Sequence, residues 1–161
     1  MDAVFDLQNK SALEAQAYVN SHLHAGKGIS CPCCSQYAKV YSRKLNSNMG
    51  RFLISLIRCS NSSTDGGWVH YSRCKFRGRD YNYLDVSYFA LAEQRTNEDT
   101  DKRRSGFWRP TQRGIDFVGG NISVPRHAYV YNGRLLGFSD EQVDIITCLG
   151  IYFSYEELMN E

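Results

Sequence analysis

Between Asn46 and Arg58 the chain sets Met49, Phe52, Leu53, Leu56 and Ile57 at spacings of three and four residues, with polar residues between them. That period is one face of an α-helix, and an amphipathic helix is predicted here. A leading helix is predicted over Ser11 to Leu23, where Leu13, Ala17 and either Asn20 or Ser21 share a face. Ser11 and Glu14 mark its start, because Ser-x-x-Glu satisfies two free amides reciprocally. Ala25-Gly-Lys-Gly28 breaks that helix, and Cys31-Pro-Cys-Cys34 follows as a tight loop. Tyr37 to Tyr41 alternates in the two-residue period of a strand returning from the loop. After a polar turn from Asn61 to Gly67, Trp68 to Tyr71 reads as a short strand.

From Asp80 to Glu93 the residues Tyr81, Leu84, Tyr88 and Leu91 again fall three or four apart, and Asp80 stands where a helix cap belongs. A charged loop, Gln94 to Gly106, leads into a strand at Phe107 to Thr111. Pro110 cannot donate a ladder hydrogen bond, so that strand is expected at a sheet edge. Gln112 to Val118 reads as a helical turn started by Thr111. Asn132-Gly133, between Ala128 to Tyr131 and Arg134 to Phe138, is a hairpin signal because both residues tolerate positive φ. Ser139 with Gln142, and Ser154 with Glu157, have capping-box spacing and predict two short acidic helices. The order of helix, charged hairpin, aromatic strand and Thr-x-x-Gly-x-x-Phe is that of a winged helix. The expected class is therefore α+β: a leading helix and zinc-knuckle hairpin over 1–45, a winged-helix core over 46–120, and a C-terminal hairpin with short helices over 121–161, packed as one unit.

Charge divides the chain. Six acids and no Lys or Arg lie between Phe138 and Glu161, which leaves 19 bases against 11 acids on the remainder. From Lys39 to Arg79 nine bases face Asp65 alone. Such a face attracts a polyanion through phosphate neutralisation, although a solvated surface offset by the acidic end would have the same composition. No secretory pattern opens the chain and no apolar run reaches the ~20 residues of a membrane helix, so a cytosolic setting without a membrane partner is expected.

In that reducing setting the six cysteines read as metal ligands or redox groups before they read as disulfides. Cys31 and Cys34 have the spacing at which two thiolates grip one zinc ion. His70 and Cys74 form the best second pair by type and spacing, with Cys59 and His127 in reserve. Cys33 could replace either neighbour. A reduced thiol cluster is the alternative, and a thioredoxin-like pair fits less well because no βαβ pattern follows. Four protein ligands would make the zinc structural, since no position is left open for an activated water. Cys148 reads as a buried thiol, and His22 and His24 as helix-end histidines.

Glu93 to Val118 resembles the wing region of MarR and PadR bacterial repressors. In those proteins a recognition helix leads into a charged hairpin, whose return strand ends in an aromatic-x-Leu-Thr-x-x-Gly pattern. Here the tip is Asp99-Thr-Asp-Lys-Arg-Arg104 and the return is Trp108-Arg-Pro-Thr-Gln-Arg-Gly114, with Pro110 in place of the usual apolar residue. A looser resemblance, through Cys-Pro-x-Cys, Lys-Val-Tyr-x-Arg-Lys-Leu-Asn, Trp-Val-His, Ser-Gly-Phe-Trp and Tyr-Asn-Gly, is to uncharacterised proteins of bacteriophages and prophages. The winged-helix resemblance implies double-stranded DNA as partner. Arg73, Lys75, Arg77, Arg79, Lys102, Arg103 and Arg104 would then contact phosphates, and Asn82 is the side chain suited to a bidentate contact with adenine. The predicted recognition helix itself holds no Lys or Arg, so weak sequence specificity is expected. The 11 tyrosines, interleaved with arginine in the basic half, could stack on unpaired bases, although such tyrosines commonly serve as half-buried core. No nucleophile with a base, paired carboxylates or phosphate-cradling loop stands out, and no enzyme is expected. The reading is a phage-encoded, zinc-containing DNA-binding protein acting in the bacterial host cytoplasm. The alternative is a non-catalytic phage inhibitor of a host polymerase, nuclease or defence complex.

Overall fold

The structure, a computed structural model, describes residues 11–23, 27–76, 81–102 and 104–150. In chain order its elements begin with α1 (Ala12–His22), β1 (Ile29–Ser30), β2 (Tyr37–Ala38), β3 (Tyr41–Lys44), α2 (Ser47–Asn61) and β4 (Val69–His70). Two 3₁₀ helices, Tyr71–Arg73 and Tyr81–Phe89, precede β5 (Ala92–Gln94) and β6 (Phe107–Pro110). They are followed by α3 (Gln112–Val118), β7 (Val124–Pro125), β8 (His127–Tyr131), β9 (Arg134–Phe138), β10 (Gln142–Val143) and α4 (Ile145–Leu149). The class is α+β. No helix among the described residues is long and apolar enough to cross a membrane.

The chain forms two compact units, Met1–Ser42 with Tyr129–Gly137, and Arg43–Ala128 with Phe138–Glu161. These boundaries differ from the sequence segmentation: the tip of the late hairpin belongs with the N-terminal stretch. Joining them depends on contacts between residues far apart in the chain, which local periodicity does not encode.

In the first unit Ser11 and Glu14 form the expected capping box, with the Ser11 amide donating to Glu14 Oε2 at 2.8 Å. The buried face of α1 is Ala15, Val19 and Leu23, four residues apart, and not the expected Leu13 and Ala17; Leu13 is 78% exposed. Val19, Leu23 and Ala38 form a small core, against which Ile29, Cys31, Val40 and Tyr131 pack. β1 and β2 pair antiparallel, Ile29 opposite Ala38 and Ser30 opposite Tyr37, and so close the cysteine loop at its base. The late hairpin turns at Asn132 and Gly133, whose φ angles of 50° and 73° are those its sequence predicts.

The second unit is organised around α2. Asn46 caps it by accepting from the Met49 amide at 3.0 Å. Met49, Phe52, Leu53 and Leu56 are buried as the stripe predicts, while Ile54 is buried in addition and Ile57 only half-buried. The helix packs against β4, β6, α3, α4 and the longer 3₁₀ helix. Phe52 meets Trp108 of β6 edge to face, with ring centroids 5.6 Å apart. Burying side chains of this size contributes ~1.5–3 kcal/mol each, so this contact is a main tie between helix and sheet.

The sheet runs β4-β6-β5. The strand containing Pro110 is thus central rather than at the edge. β4 pairs only with Trp108 and Phe107, so at Pro110 one flank of β6 is locally unpaired and the missing amide costs no ladder bond. The segment read as a helix from Asp80 to Glu93 is also different. It is a 3₁₀ helix at Tyr81–Phe89, and Val86 and Phe89 are buried with the three-residue period of that helix. Ala90, at φ 56°, ends it and turns the chain into β5. Asp80, the expected cap, lies outside the described residues.

Thr111 caps α3 as expected, accepting from the Gly114 amide at 3.1 Å. Ser139 does not open a helix, because Gln142 pairs in β10 with Pro125. The helix there is the shorter α4, capped by Asp144, which accepts from the Thr147 amide at 2.7 Å. The Ser154 and Glu157 capping pair lies outside the described residues.

Candidate nucleic-acid interface and metal site

The loop between β5 and β6 is built on a cross-strand pair. Glu93 and Arg109 stand opposite each other, and Arg109 Nη2 lies 2.6 Å from Glu93 Oε1. Trp68 carries two guanidinium groups over its ring, Arg109 at 4.5 Å and Arg95 at 4.9 Å from the centroid. Arg95 also meets Asp65 at 2.7 Å, and Ser105 donates to its carbonyl at 2.7 Å. Arg95 and Arg109 therefore hold the base of the hairpin.

The tip is ordered by its own side chains. Asn97 donates to the carbonyls of Asp99 and Lys102, while Asp99 accepts from the Asp101 amide at 3.0 Å. Lys102 lies 3.8 Å from Asp99, but its side chain is 72% exposed, so the pair is a weak restraint on the ammonium. Arg104 is exposed. Lys102 and Arg104 are thus displayed on a loop whose backbone is fixed from below. Arg103 lies outside the described residues.

Of the remaining expected phosphate contacts, Arg73 and Lys75 are exposed. The Lys75 amide donates to Ser55 Oγ of α2 at 2.7 Å, which fixes the backbone there. Arg77 and Arg79 lie outside the described residues. Asn82 sits near the start of the longer 3₁₀ helix. Further along that helix Asp85 lies 3.9 Å from Arg43, an ion pair between residues 42 positions apart that no local pattern marks.

Among the cysteines, Cys31 holds the most distinctive position. The amides of Cys34 and then Cys33 donate to its sulfur and keep its thiol below the usual cysteine range. The loop closes through the Cys31 amide to the Gln36 carbonyl and the Ser35 amide to the Cys31 carbonyl, both at 2.8 Å, with Ser35 at φ 61°. Cys33 and Cys34 are exposed. This is a turn in which amides already face a cysteine sulfur, as a zinc-binding Cys-x-x-Cys requires.

His70 and Cys74 have different surroundings. His70 Nδ1 lies 2.7 Å from Ser72 Oγ, and its ring meets Phe107 edge to face at 5.2 Å. Cys74 is buried, and that burial, followed by neighbouring Cys59, pushes its thiol up to about 12. The side-chain partners of Cys74 are Cys59 and Ser55, so the reserve ligand Cys59 is its neighbour. Among the described residues no three His, Cys, Asp or Glu form a group able to hold a metal ion. His127, the other reserve, is half-buried in β8, and Cys148 is buried as expected.

Comparison with protein-family models, with curated proteins and with solved structures gives no match.

Proposed function

We propose that residues 46–120 are a winged-helix core that binds double-stranded DNA with little base readout, as a regulator or accessory factor. One observation carries the reading: an exposed cationic loop joins β5 to β6, the 3₁₀ helix stands directly before it, and the sheet order is β4-β6-β5. In such a domain the helix before the hairpin meets the major groove while the hairpin reaches the adjoining backbone. Here Tyr81–Phe89 carries no Lys or Arg. Affinity then comes from phosphate contacts by Arg73, Lys75, Arg77, Arg79, Lys102, Arg103 and Arg104, which carry little sequence information, with Asn82 as the base-reading side chain.

On this proposal the protein is phage-encoded and non-catalytic, and acts in the bacterial host cytoplasm, as the resemblance to phage proteins implies. Cys31 and Cys34 are the thiolate pair of a structural zinc ion, a role supported by the amides aimed at Cys31. His70 and Cys74 enter that site on residue type and spacing alone. A second reading, a non-catalytic inhibitor of a host protein, is favoured by the same cation-poor segment before the hairpin.

Duplex affinity measured by anisotropy against rising salt tests the first reading. Binding should weaken steeply, and Lys102→Ala and Arg104→Ala should each lower the slope of log affinity on log salt by ~0.9. A protein that binds no duplex even at low salt leaves only the second reading.

A further inference from the structure

The first unit contains a cleft of about 730 Å³, lined by residues of α1, the cysteine loop, β2, the segment up to Tyr41 and the tip of the late hairpin. Its size is within the ~300–1,000 Å³ of pockets that take small organic ligands. The lining is chemically selective. Among the described residues it contains the cations Lys39 and Arg134, three tyrosines, several side-chain amides and the loop thiols, and no Asp or Glu. These lining residues therefore offer an anionic ligand two cations and no opposing carboxylate.

Two tyrosines give the cleft flat apolar surface. Tyr37 is 56% exposed and Tyr41 48%, although both belong to strands. Tyr37 is held at its phenol tip. Its hydroxyl donates to the Lys27 carbonyl, and its ring lies against Gly28, where an added Cβ would overlap the phenol and stand 2.8 Å from the Ala38 carbonyl oxygen. Gly28 also adopts φ +77°, so both conformation and space reserve that position for glycine. A ring fixed in this way loses little freedom on stacking. Beside it, Lys39 Nζ sits 5.8 Å from the centroid of Tyr41, so a cation and an aromatic face occupy the same wall.

We propose that this cleft binds an unpaired nucleotide, with its base stacked on Tyr37 or Tyr41 and its phosphate met by Lys39 and Arg134. Aromatic stacking serves every base, and the cations track the backbone. The site belongs to the first unit and does not rest on duplex binding by the second. The ligand is either a free nucleotide or part of a single strand, since the recognising chemistry is shared.

The test uses the full chain with three probes: a labelled oligothymidylate of about eight nucleotides, thymidine monophosphate, and inorganic phosphate. Binding of the oligonucleotide alone identifies a single strand, and equally tight binding of the mononucleotide identifies a free nucleotide. In either case Tyr37→Ala, and separately the surface pair Lys39→Ala with Arg134→Ala, should weaken binding about ten-fold. The surface pair keeps the test valid if Tyr37→Ala unfolds the unit. An excess of duplex should not displace thymidine monophosphate from the cleft, which separates this site from the duplex interface. The proposal is overturned if neither nucleotide probe binds at low salt, if the cleft variants bind as the wild type does, or if inorganic phosphate competes as well as the mononucleotide.

Discussion

Gly114, in the first turn of α3, lies so close to Leu91 that a Cβ at residue 114 would overlap the Leu91 carbonyl oxygen and stand 2.9 Å from its carbon. The obstacle is backbone, entering β5, and it cannot rotate away. Helix propensity alone would make Gly114→Ala favourable by about 1 kcal/mol. Overpacking against fixed backbone costs more, so the variant should be destabilised by roughly 2 kcal/mol or more. Urea unfolding gives the sign directly, and an Ala variant as stable as the parent would contradict the packing.

Thr111 performs two tasks at the same junction. Its Oγ1 accepts from the Gly114 amide at 3.1 Å and donates to the Ala90 carbonyl at 2.6 Å. The second bond restrains Ala90, the residue at positive φ that ends the 3₁₀ helix. Thr111→Val keeps the shape and removes both bonds, for an expected loss of about 1–2 kcal/mol, whereas Thr111→Ser should recover most of it. Equal stability of the Val and Ser variants would show that the hydroxyl contributes nothing.

These junction residues show what the chain reveals of its fold. The α2 stripe, the Ser11 and Thr111 caps and the Asn132-Gly133 turn are local signals, and each element forms where its signal lies. The 3₁₀ helix was hidden because spacings of three fit both helix types over so short a span. Central placement of β6 depends on how far β4 extends, which no residue of β6 states. At the candidate sites, Lys102 and Arg104 were legible as a charged tip. The pairing of Cys74 with Cys59, and the cleft walled by Tyr37, Lys39 and Arg134, arise from residues distant in sequence and had no local signature.

Cys74 and Cys148 make stability depend on alkaline pH. Burial is the first cause for both, and each thiol is pushed from 9.0 to about 12. Well below pH 9.0, at pH 8 and under, both thiols are protonated whether the chain is folded or unfolded, and their contribution is nearly constant. Above that range the unfolded chain releases protons that the folded chain retains, so stability falls as pH rises towards 12. Urea midpoints at pH 6.5, 8 and 10.5 should show almost no drop over the first interval from these groups and a clear drop over the second. Alkylation at pH 8 should modify exposed Cys33 and Cys34 well before Cys74 and Cys148. Equal labelling rates would show that the two buried thiols are open to solvent.

The proposed zinc ion separates the cysteines in a different way. Cys31→Ser removes the sulfur that accepts the Cys34 and Cys33 amides, and Cys34→Ser removes its partner at the two-residue spacing. Protein expressed with zinc and purified without chelator should carry about one ion per chain, and either substitution should abolish it. His70→Ala and Cys74→Ala then locate the other half of the site. If both lower zinc content as far as Cys31→Ser does, the four residues act as one ligand set. If neither does, the remaining ligands lie elsewhere and the buried Cys74 thiol serves packing beside Cys59. A zinc content below about a third of an ion in the parent protein rejects the metal outright. The Cys31 turn is then held by its own amide bonds, and Cys31→Ser should weaken the first unit without any dependence on added zinc.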